Sequence, residues 1–394
     1  MPPPACNELQ TRLDALTPAG PEYTSQLVDL ILEEAARRGA SDVHFEPSHR
    51  AVAVHYRLDG VMKKVATLSR DLAPNVTARL KVLAELLTYR LDIPQEGSIR
   101  QASSRYGVDM RVSTFPTIQG ERVVVRLFEA SGKAMDLEEL GLAPEVLSAL
   151  TGMMRERTGA ILLTGPSGSG KTTTIYACLR YLLRASGGGQ HIVTIEDPVE
   201  QVIEGISQAQ ARPGTEFDFG RGLRSLLRQD PEVIMIGEIR DPETAAIAVQ
   251  AALTGHLVFS TLHAGSACGV IGRLLDMGIE PYLLTSGLRG ILNQRLVRRV
   301  CRVCGGPADA QSLGSRMADC ENCAATGYRG RLLLAELVLL DGPLRRAILD
   351  RSDTASLEAV ASGAGRLTLR DAAERAIADG LTTVQEIERV LGPR

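Results

Sequence analysis

The sequence predicts an α/β protein in which a small α/β domain precedes a larger domain built on a mostly parallel sheet. Three patterns predict this class. An apolar strand runs into a glycine-rich loop and a helix at residues 160–174, strands and helices alternate after that loop, and short strands with period-two alternation precede it. Alternating strands and helices are typical of a parallel sheet covered by helices. Nucleotide chemistry then belongs at the carboxyl ends of the strands.

Length and composition are those of a globular protein with two or three domains. The 394 residues are 44% hydrophobic and 23% charged, which is ordinary. A net charge of −3 and an aromatic content of 4% do not favour nucleic-acid binding. The first ten residues lack the basic and apolar segments of a signal peptide, and the most apolar late run, residues 332–340, is too short to span a bilayer. We therefore expect a cytoplasmic protein that meets a membrane only through a partner.

The first domain is expected at residues 23–130, after a proline-rich segment, residues 1–22, that we expect to be mobile. A helix pattern is followed by a strand at residues 51–58, which alternates between an apolar and a polar face. Asp59 and Gly60 then give the signal of a hairpin turn. The pattern therefore predicts a helix that packs on a sheet containing a hairpin.

Two further strands of this domain, expected at residues 106–114 and 122–128, carry arginines. Period-two spacing places Arg111 on the polar face of the first strand, and Arg122 and Arg126 together on one face of the second. On pattern alone, a solvated polar face is a better explanation for these side chains than a ligand site.

A charged helical linker, residues 131–158, leads to the second domain at residues 159–296. Its first loop has the sequence GPSGSGKT, which fits the phosphate-binding motif G-x-x-x-x-G-K-[ST] between a strand and a helix. Glycines let backbone N–H groups surround a phosphate, and the helix points its positive end at the same anion. The motif predicts an ATP site made of Gly165, Pro166, Ser167, Gly168, Ser169, Gly170, Lys171 and Thr172. We expect Lys171 to reach the β- and γ-phosphates and Thr172 to bind Mg²⁺.

Two carboxylates and two histidines are expected near the ends of the other strands. Glu196 and Glu238 each follow a predicted strand on the side of Lys171, so one can position water while the other holds the metal shell. The sequence does not divide those roles between them. His256 and His263 stand at the two ends of one predicted strand, where a neutral imidazole can sense the γ-phosphate or brace a carboxylate. The alternatives to a catalytic role are that the two glutamates cap helices and that the two histidines are hydrogen-bonded within the core.

The late part of the chain combines a cysteine module with helices. Cys301-x-x-Cys304 and Cys320-x-x-Cys323 are separated by fifteen residues, which is the spacing of a structural Zn²⁺ site. In a reducing cytosol a thiolate cluster indicates zinc rather than two disulfides, and we expect the module at residues 297–330. From residue 281 onward helices are otherwise expected, including a C-terminal helical region, residues 331–394, with helices at 343–351, 354–362, 369–379 and 384–391.

A series of motifs resembles the ATPases of type II secretion and type IV pilus assembly, over nearly the whole chain from about residue 23. The motifs are ASDVHFEP at 40–47, PQEG at 94–97, DMRVST at 109–114, GERVVVRL at 120–127, the phosphate-binding loop, TIEDPVE at 194–200, RQDPE to GEIRD at 228–241, and TGH to TLH at 254–263. The run RLLDMGIEP at 273–281 is more similar to the type II secretion branch than to the pilus branch.

The resemblance implies a PAS-like small domain, a RecA-like ATPase core, and a homo-hexameric ring on the cytoplasmic side of the inner membrane. ATP hydrolysis with Mg²⁺ would act on an inner-membrane platform protein and push pseudopilin subunits into a filament. It also implies that Arg111, Arg126 and Arg224 contact the nucleotide phosphates. For the strand arginines Arg111 and Arg126, the resemblance thus favours a functional role over a solvated polar face. The family's usual amino-terminal domain, which grips a membrane-anchored recruiting protein, is not matched here. A separate recruiting protein or a truncated sequence would account for that difference.

Three alternatives accompany this interpretation. Within the family, a type IV pilus assembly ATPase is the second choice. A nucleic-acid-translocating motor is disfavoured because no basic stripe with interleaved aromatic residues is present. A scaffold that does not hydrolyse nucleotide is disfavoured because Lys171, Thr172, Glu196 and Glu238 are all present.

Overall fold

The structure, a computed structural model, describes residues 4–17, 20, 22–100, 106–128, 135–212, 215, 217–307, 320–323, 325–363 and 366–393. The chain divides into two compact units. Unit 1 comprises Met1–Lys133 and Arg298–Arg331, and unit 2 comprises Ala134–Val297 and Leu332–Arg394. The cysteine module therefore belongs to the same unit as the N-terminal domain.

Unit 1 is built on a six-stranded antiparallel sheet with the order β3-β2-β1-β6-β5-β4. Its strands are β1 (Asp42–Pro47), β2 (Ala51–Leu58), β3 (Val61–Ser69), β4 (Gln95–Ile99), β5 (Asp109–Thr117) and β6 (Gly120–Phe128). Its helices are α1 (Pro4–Asp14), α2 (Tyr23–Arg37) and α3 (Ala73–Leu83). The predicted alternation of β2 is confirmed, because Val52, Val54 and Tyr56 are buried. The predicted hairpin turn is also confirmed, with φ of 46° at Asp59 and 82° at Gly60.

The N-terminal segment differs from the mobile tail that the sequence predicted, since residues 4–14 form helix α1. Leu9 and Leu13, one helical turn apart, are buried in the core of unit 1. Gln10 accepts a hydrogen bond at 2.8 Å from the backbone N–H of Thr67 in β3. The prediction is wrong here because Pro4 stands at the first helical position, where proline is tolerated, and Pro18 and Pro21 come after the helix has ended.

Unit 2 contains a seven-stranded sheet with the order β13-β12-β7-β11-β10-β8-β9. The strands of this sheet are β7 (Gly159–Thr164), β8 (Ile192–Glu196), β9 (Ser207–Gln210), β10 (Val233–Ile236), β11 (Leu257–Thr261), β12 (Leu288–Val300) and β13 (Tyr328–Leu339). The end of β12 and the start of β13 fall within unit 1. Strands β7 to β12 pair in parallel. Its first helices are α4 (Pro144–Arg155), α5 (Lys171–Ala185), α6 (Phe219–Leu226), α7 (Pro242–Leu253), α8 (Ala267–Asp276) and α9 (Pro281–Gly287). The predicted fold class, a parallel α/β domain after a small α/β domain, is confirmed.

The region after residue 287 corrects the helical prediction, because it contains the two longest strands that the structure describes, β12 and β13. The N–H of Cys301 donates to the Gly327 carbonyl at 2.9 Å, and that of Leu340 donates to the Arg289 carbonyl at 3.1 Å. These bonds lie at opposite ends of the pair, so β12 and β13 run antiparallel. Much of β12 is buried, including polar Asn293. A strand that buries polar residues lacks clean period-two alternation, which explains the wrong prediction.

The last four helices follow the predicted segments closely. They are α10 (Gly342–Leu349), α11 (Thr354–Ser362), α12 (Leu369–Ala378) and α13 (Val384–Leu391). Each begins at a side chain that accepts a backbone N–H of the first turn, namely Asp341, Asp353, Thr368 and Thr383. Such caps are local signals, which is why the sequence predicted these helices well. Among the described residues, no helix combines the length and the apolar character needed to cross a membrane.

Candidate active site

The predicted phosphate-binding loop connects β7 to α5 at the carboxyl end of the strand. Gly165, Gly168 and Gly170 have φ of 142°, 74° and 90°, conformations in which a side chain would be strained. Pro166, Ser167 and Gly168 are exposed. The buried hydroxyl of Ser169 has no hydrogen-bond partner within the described chain. An open loop with left-handed glycines, a helix N-terminus and an unsatisfied hydroxyl fits a bound phosphate group.

Lys171, the first residue of α5, is almost completely buried in this loop. Its Nζ donates to the carbonyl oxygens of Gly165 at 2.9 Å and Pro166 at 3.0 Å. Burial lowers the pKa of Lys171, and the positive charge of Arg295 lowers it further. A nucleotide phosphate would replace the two weak carbonyl acceptors with a charged one. Thr172, which is half-buried, lies next to it in the first turn of α5.

Glu196, the last residue of β8, is 2% exposed, and protein groups bind both of its carboxylate oxygens. Thr194 donates to Oε1 at 2.6 Å and Gln208 donates to the same oxygen at 3.1 Å. The hydroxyl of Tyr176 donates to Oε2. The sequence did not single out Tyr176 and Gln208, because nothing in their local pattern marks them as partners of Glu196. This carboxylate is directed into the protein, where it accepts hydrogen bonds from side chains on β8, β9 and α5.

Glu238 follows β10 and remains accessible, with a side-chain exposure of 17%. Its Oε1 pairs with Arg240, and its Oε2 lies 3.4 Å from Nε2 of His263. Burial and the nearby charge of Lys171 lower the pKa of His263, although a backbone hydrogen bond with Gly165 works in the opposite direction. His263 is therefore a neutral imidazole between Glu238 and the phosphate-binding loop. The structure brings together these three predicted groups and adds Arg240, which the sequence analysis did not select.

His256 lies immediately before β11, at the amino end of the strand, whereas His263 lies just after its carboxyl end. Its Nδ1 is 2.9 Å from the carbonyl oxygen of Ala251 and 3.5 Å from the Thr254 hydroxyl. Parallel strands end at one edge of the sheet, so His256 lies at the edge opposite the phosphate-binding loop. The structure supports the alternative for this residue, a hydrogen-bonded histidine that holds the end of α7.

Arg111 and Arg126 lie directly opposite each other on β5 and β6 of unit 1. Arg111 pairs with Glu96, and Nε of Arg126 donates to Oδ1 of Asp42 at 3.0 Å. The two arginine side chains are 47% and 64% exposed. Burial alone would raise the pKa of Asp42, but hydrogen bonds from Ser41 and Arg126 lower it below its ordinary value. Asp42 is therefore ionised at neutral pH and holds Arg126 through one edge of the guanidinium group.

Arg224 is on α6 of unit 2 and pairs with Glu243, which lies in the first turn of α7. Helix α7 begins shortly after the carboxyl end of β10, where Glu238 also lies. More than half of the Arg224 side chain is exposed. The structure therefore places it in the same unit as the phosphate-binding loop, while Arg111 and Arg126 lie in unit 1.

The four cysteines of the predicted zinc module are buried in unit 1, and their Sγ atoms all lie within 4.8 Å of one another. The distances are 3.9 Å from Cys301 to Cys320 and 3.7 Å from Cys304 to Cys323. A tetrahedron with Zn–S bonds of about 2.3 Å has edges of about 3.8 Å. The cysteines therefore fit a four-coordinate Zn²⁺ ion, which would tie together the ends of the module and leave no open position for catalysis.

Two of the sulfur atoms accept hydrogen bonds, which favour the thiolate form of a cysteine. Asn322 donates to Sγ of Cys301 at 3.2 Å, and the N–H of Gly327 donates to Sγ of Cys323 at 3.3 Å. Burial alone would raise the pKa of Cys301, but the bond from Asn322 and backbone N–H groups lower it to about 6. Burial raises the pKa of Cys304 and the pKa of Cys323, so Cys301 is the first of these three to form the thiolate that binds zinc.

We expect protein purified without added zinc to carry one Zn²⁺ per chain, because four thiolates in this geometry bind the ion tightly. Elemental analysis measures the metal directly. Cys301→Ser should release the metal and lower the thermal stability of the protein, with a smaller effect on ADP affinity. Cys6→Ser, which removes a cysteine that belongs to neither Cys-x-x-Cys pair, is the matched control. A metal-free protein that contains two disulfides would contradict this assignment.

Comparisons with known proteins agree with the motifs. Residues 19–389 match a family model described as type II/IV secretion system protein. The chain is 43% identical over 394 residues to the type II secretion system protein HxcR of Pseudomonas aeruginosa, covering 97% of this chain and 83% of that protein. It is 41% identical over 379 residues to the type II secretion system ATPase E of Vibrio cholerae, covering 93% of this chain and 75% of that protein.

A solved structure supports the fold. The chain is similar to the crystal structure of the pilus retraction motor PilT with bound ADP, with a TM-score of 0.62 and 27% identity. That similarity covers 93% of this chain and 97% of the other. The combination of a small α/β domain and a parallel-sheet ATPase domain is therefore shared with a nucleotide-binding protein.

Proposed function

The chain belongs to the type II/IV secretion system protein family, and from that premise we propose that it is an ATPase that powers pseudopilus assembly and protein export by a type II secretion system. The observation that carries the proposal is the meeting of the phosphate-binding loop, Lys171, His263 and Glu238 at one edge of the unit 2 sheet. Relatives named for type II secretion are 41% and 43% identical to the chain, whereas the pilus retraction motor is 27% identical. That difference favours type II secretion over a pilus retraction motor.

The proposed reaction needs a bound metal, stabilisation of the γ-phosphate charge and a positioned water. Mg²⁺, held by the Thr172 hydroxyl and the ATP phosphates, would neutralise part of that charge. Lys171 would bind the β- and γ-phosphates. Glu238 is the carboxylate available to orient or deprotonate the water, because its side chain is 17% exposed whereas Glu196 is 2% exposed. Glu196 has the supporting role, since Thr194, Gln208 and Tyr176 bind its oxygens.

Phosphate release from MgATP by the purified chain tests the ATPase activity. Replacement of the natural protein by a Lys171→Ala variant in the source organism tests the cellular role. Loss of protein export from otherwise growing cells would support the proposal. Normal export together with a loss of pili would support the pilus alternative.

Glu238→Gln should abolish turnover while nucleotide binding is retained. The amide keeps the shape of the side chain but cannot accept a proton or carry the negative charge. Isothermal titration with ADP and a phosphate-release assay separate the two properties. Glu232→Gln, an exposed substitution at the other end of β10, is the matched control. If Glu238→Gln fails to bind nucleotide, Glu238 is mainly a structural residue.

We further propose that the chain works as a homo-hexamer on the cytoplasmic side of the inner membrane. Its partners would be the inner-membrane platform protein of the secretion system and a membrane-anchored recruiting protein. Family membership supports the oligomer and the secretion-system partners. The exposed arginines Arg111 and Arg126 belong to unit 1, whereas Lys171 belongs to unit 2. This division supports an active site that is completed by domain motion or by a neighbouring subunit.

A further inference from the structure

Arg295 on β12 links two loops of the candidate active site. Its Nη1 donates to the carbonyl oxygen of Gln294 at 2.9 Å, and its Nη2 donates to that of Gly265 at 2.9 Å. Gly265 lies two residues after His263. Gln294 lies against the phosphate-binding loop, where a Cβ at Gly165 would be only 2.4 Å from the Gln294 oxygen and 3.2 Å from Nη1 of Arg295. One planar guanidinium group therefore binds the loop after His263 directly and also binds the β12 carbonyl that lies against the phosphate-binding loop.

A network of polar side chains that leads to a C-terminal helix fixes the orientation of Arg295. Its Nη1 also donates to Oδ1 of Asn293 at 2.7 Å. Nδ2 of Asn293 donates to Oε1 of Glu336 at 2.8 Å, and Oε2 of Glu336 accepts the N–H of Leu369 at 3.0 Å. Leu369 is the first residue of α12. The chain of hydrogen bonds thus runs from the start of a C-terminal helix to Gly265 and to the Gln294 carbonyl, which lies against the phosphate-binding loop.

The surroundings of Arg295 distinguish it from an arginine that only packs. It lines a cavity of about 350 Å³, together with Gly265, Ser266 and residues of the C-terminal helices. A shorter side chain there would enlarge a space that is already open, so its loss need not collapse the core. Its charge also acts on the active site, because it adds to the effect of burial in lowering the pKa of Lys171.

We propose that Arg295 is a positioning residue that holds the phosphate-binding loop and the loop after His263 in a fixed mutual arrangement, so that its loss reduces turnover more than nucleotide affinity. The inference rests on the proposed ATPase function. Lys171 and His263 act on the same bound nucleotide and on Glu238, so a small relative shift of their loops misaligns the reacting groups. A displacement of about 1 Å can cost on the order of 100-fold in rate.

The test compares Arg295→Met, Arg295→Lys and a matched control, Arg345→Met. Arg345 is also partly buried in unit 2 and donates to two carbonyl oxygens, those of Leu340 and Thr285, outside the active site. Arg295→Met should lower kcat by about 100-fold and change the Kd for ADP by less than about 5-fold. Arg295→Lys should retain more activity than Arg295→Met, because an ammonium group keeps the charge and one hydrogen bond. Arg345→Met should keep both constants.

The pH dependence of ADP binding gives a second readout that a purely structural role would not change. Lys171 binds phosphate best when protonated. Burial lowers the pKa of Lys171 most, the charge of Arg295 lowers it further, and the charge of Glu200 raises it. Arg295→Met removes that charge, so the alkaline loss of ADP affinity should move to higher pH. Arg295→Lys and Arg345→Met should leave it where the unmodified protein has it.

Two results would overturn the inference. One is an Arg295→Met variant with normal kcat and an unchanged alkaline limb. The other is an Arg295→Met variant that loses kcat and ADP affinity equally and whose melting temperature falls as much as that of Arg345→Met. That result would show a structural role for Arg295. Lys171→Ala, measured in parallel, separates this failure from failure of the ATPase proposal. If Lys171→Ala still hydrolyses ATP, the proposed function itself is wrong.

Discussion

Replacing Lys171 by alanine is expected to lower ATP hydrolysis by at least about 100-fold, the usual cost of removing a group that stabilises developing charge. Lys171 is the cation at the start of α5, and its Nζ is held 2.9 Å from the Gly165 carbonyl. The ammonium group is thus already placed at the loop before nucleotide arrives. Alanine removes the charge and leaves the γ-phosphate with too little positive compensation in the transition state. A steady-state phosphate-release assay at saturating MgATP measures the effect.

The matched control for Lys171→Ala is Arg184→Ala, which removes a positive charge from the last turn of the same helix. Arg184 is about half exposed and pairs with Asp136, a contact that contributes little in water. The control should hydrolyse ATP at the normal rate. Hydrolysis by Lys171→Ala near the rate of the unmodified protein would refute the assignment of this loop as the catalytic phosphate site.

Much of the site could be predicted because its signals are local. The phosphate-binding loop carries its strand, its glycines and its helix within fifteen consecutive residues, 160–174. The zinc module likewise depends on two short cysteine pairs, and the C-terminal helices on single capping side chains such as Asp341. In each case the physical cause and the sequence pattern are the same few residues.

The remaining features depend on contacts between distant parts of the chain. Glu196 and Glu238 look equivalent in the sequence, and only tertiary packing shows that Tyr176 and Gln208 bind the first. Strand β12 was predicted as a helix because its polar residues are buried against other strands. Arg295 was missed for the same reason.

The opposed arginines of unit 1 explain why their loss should affect activity rather than folding. Two like charges directly across a β-ladder repel each other, yet Arg111 and Arg126 occupy such a pair. Glu96 and Asp42 each offset one of them. Removal of Arg126 leaves Asp42 paired with Arg57, whose Nε is 3.3 Å from Oδ2. After the substitution Asp42 therefore still has a cationic partner, and the repulsion between Arg111 and Arg126 is removed.

Arg126→Ala is consequently expected to reduce turnover by on the order of 10³-fold, the effect of a removed arginine finger, while the melting temperature stays within a few degrees. Arg126 uses its Nε for Asp42, and most of its side chain is exposed, so its outer edge can meet a phosphate. It belongs to unit 1 and Lys171 to unit 2, so hydrolysis should depend on domain closure or on a neighbouring subunit.

The role of Arg126 is tested by the concentration dependence of the specific activity and by the turnover of Arg126→Ala. The specific activity of the unmodified protein should rise with concentration as rings form, and Arg50→Ala, an exposed substitution in the turn after β1, should behave like the unmodified protein. Activity that does not change with concentration, in protein shown to be monomeric throughout, would exclude the version in which a neighbour supplies the arginine. If Arg126→Ala hydrolyses ATP at the normal rate, the residue is part of a solvated polar face, because its exposed guanidinium then has no anion to meet.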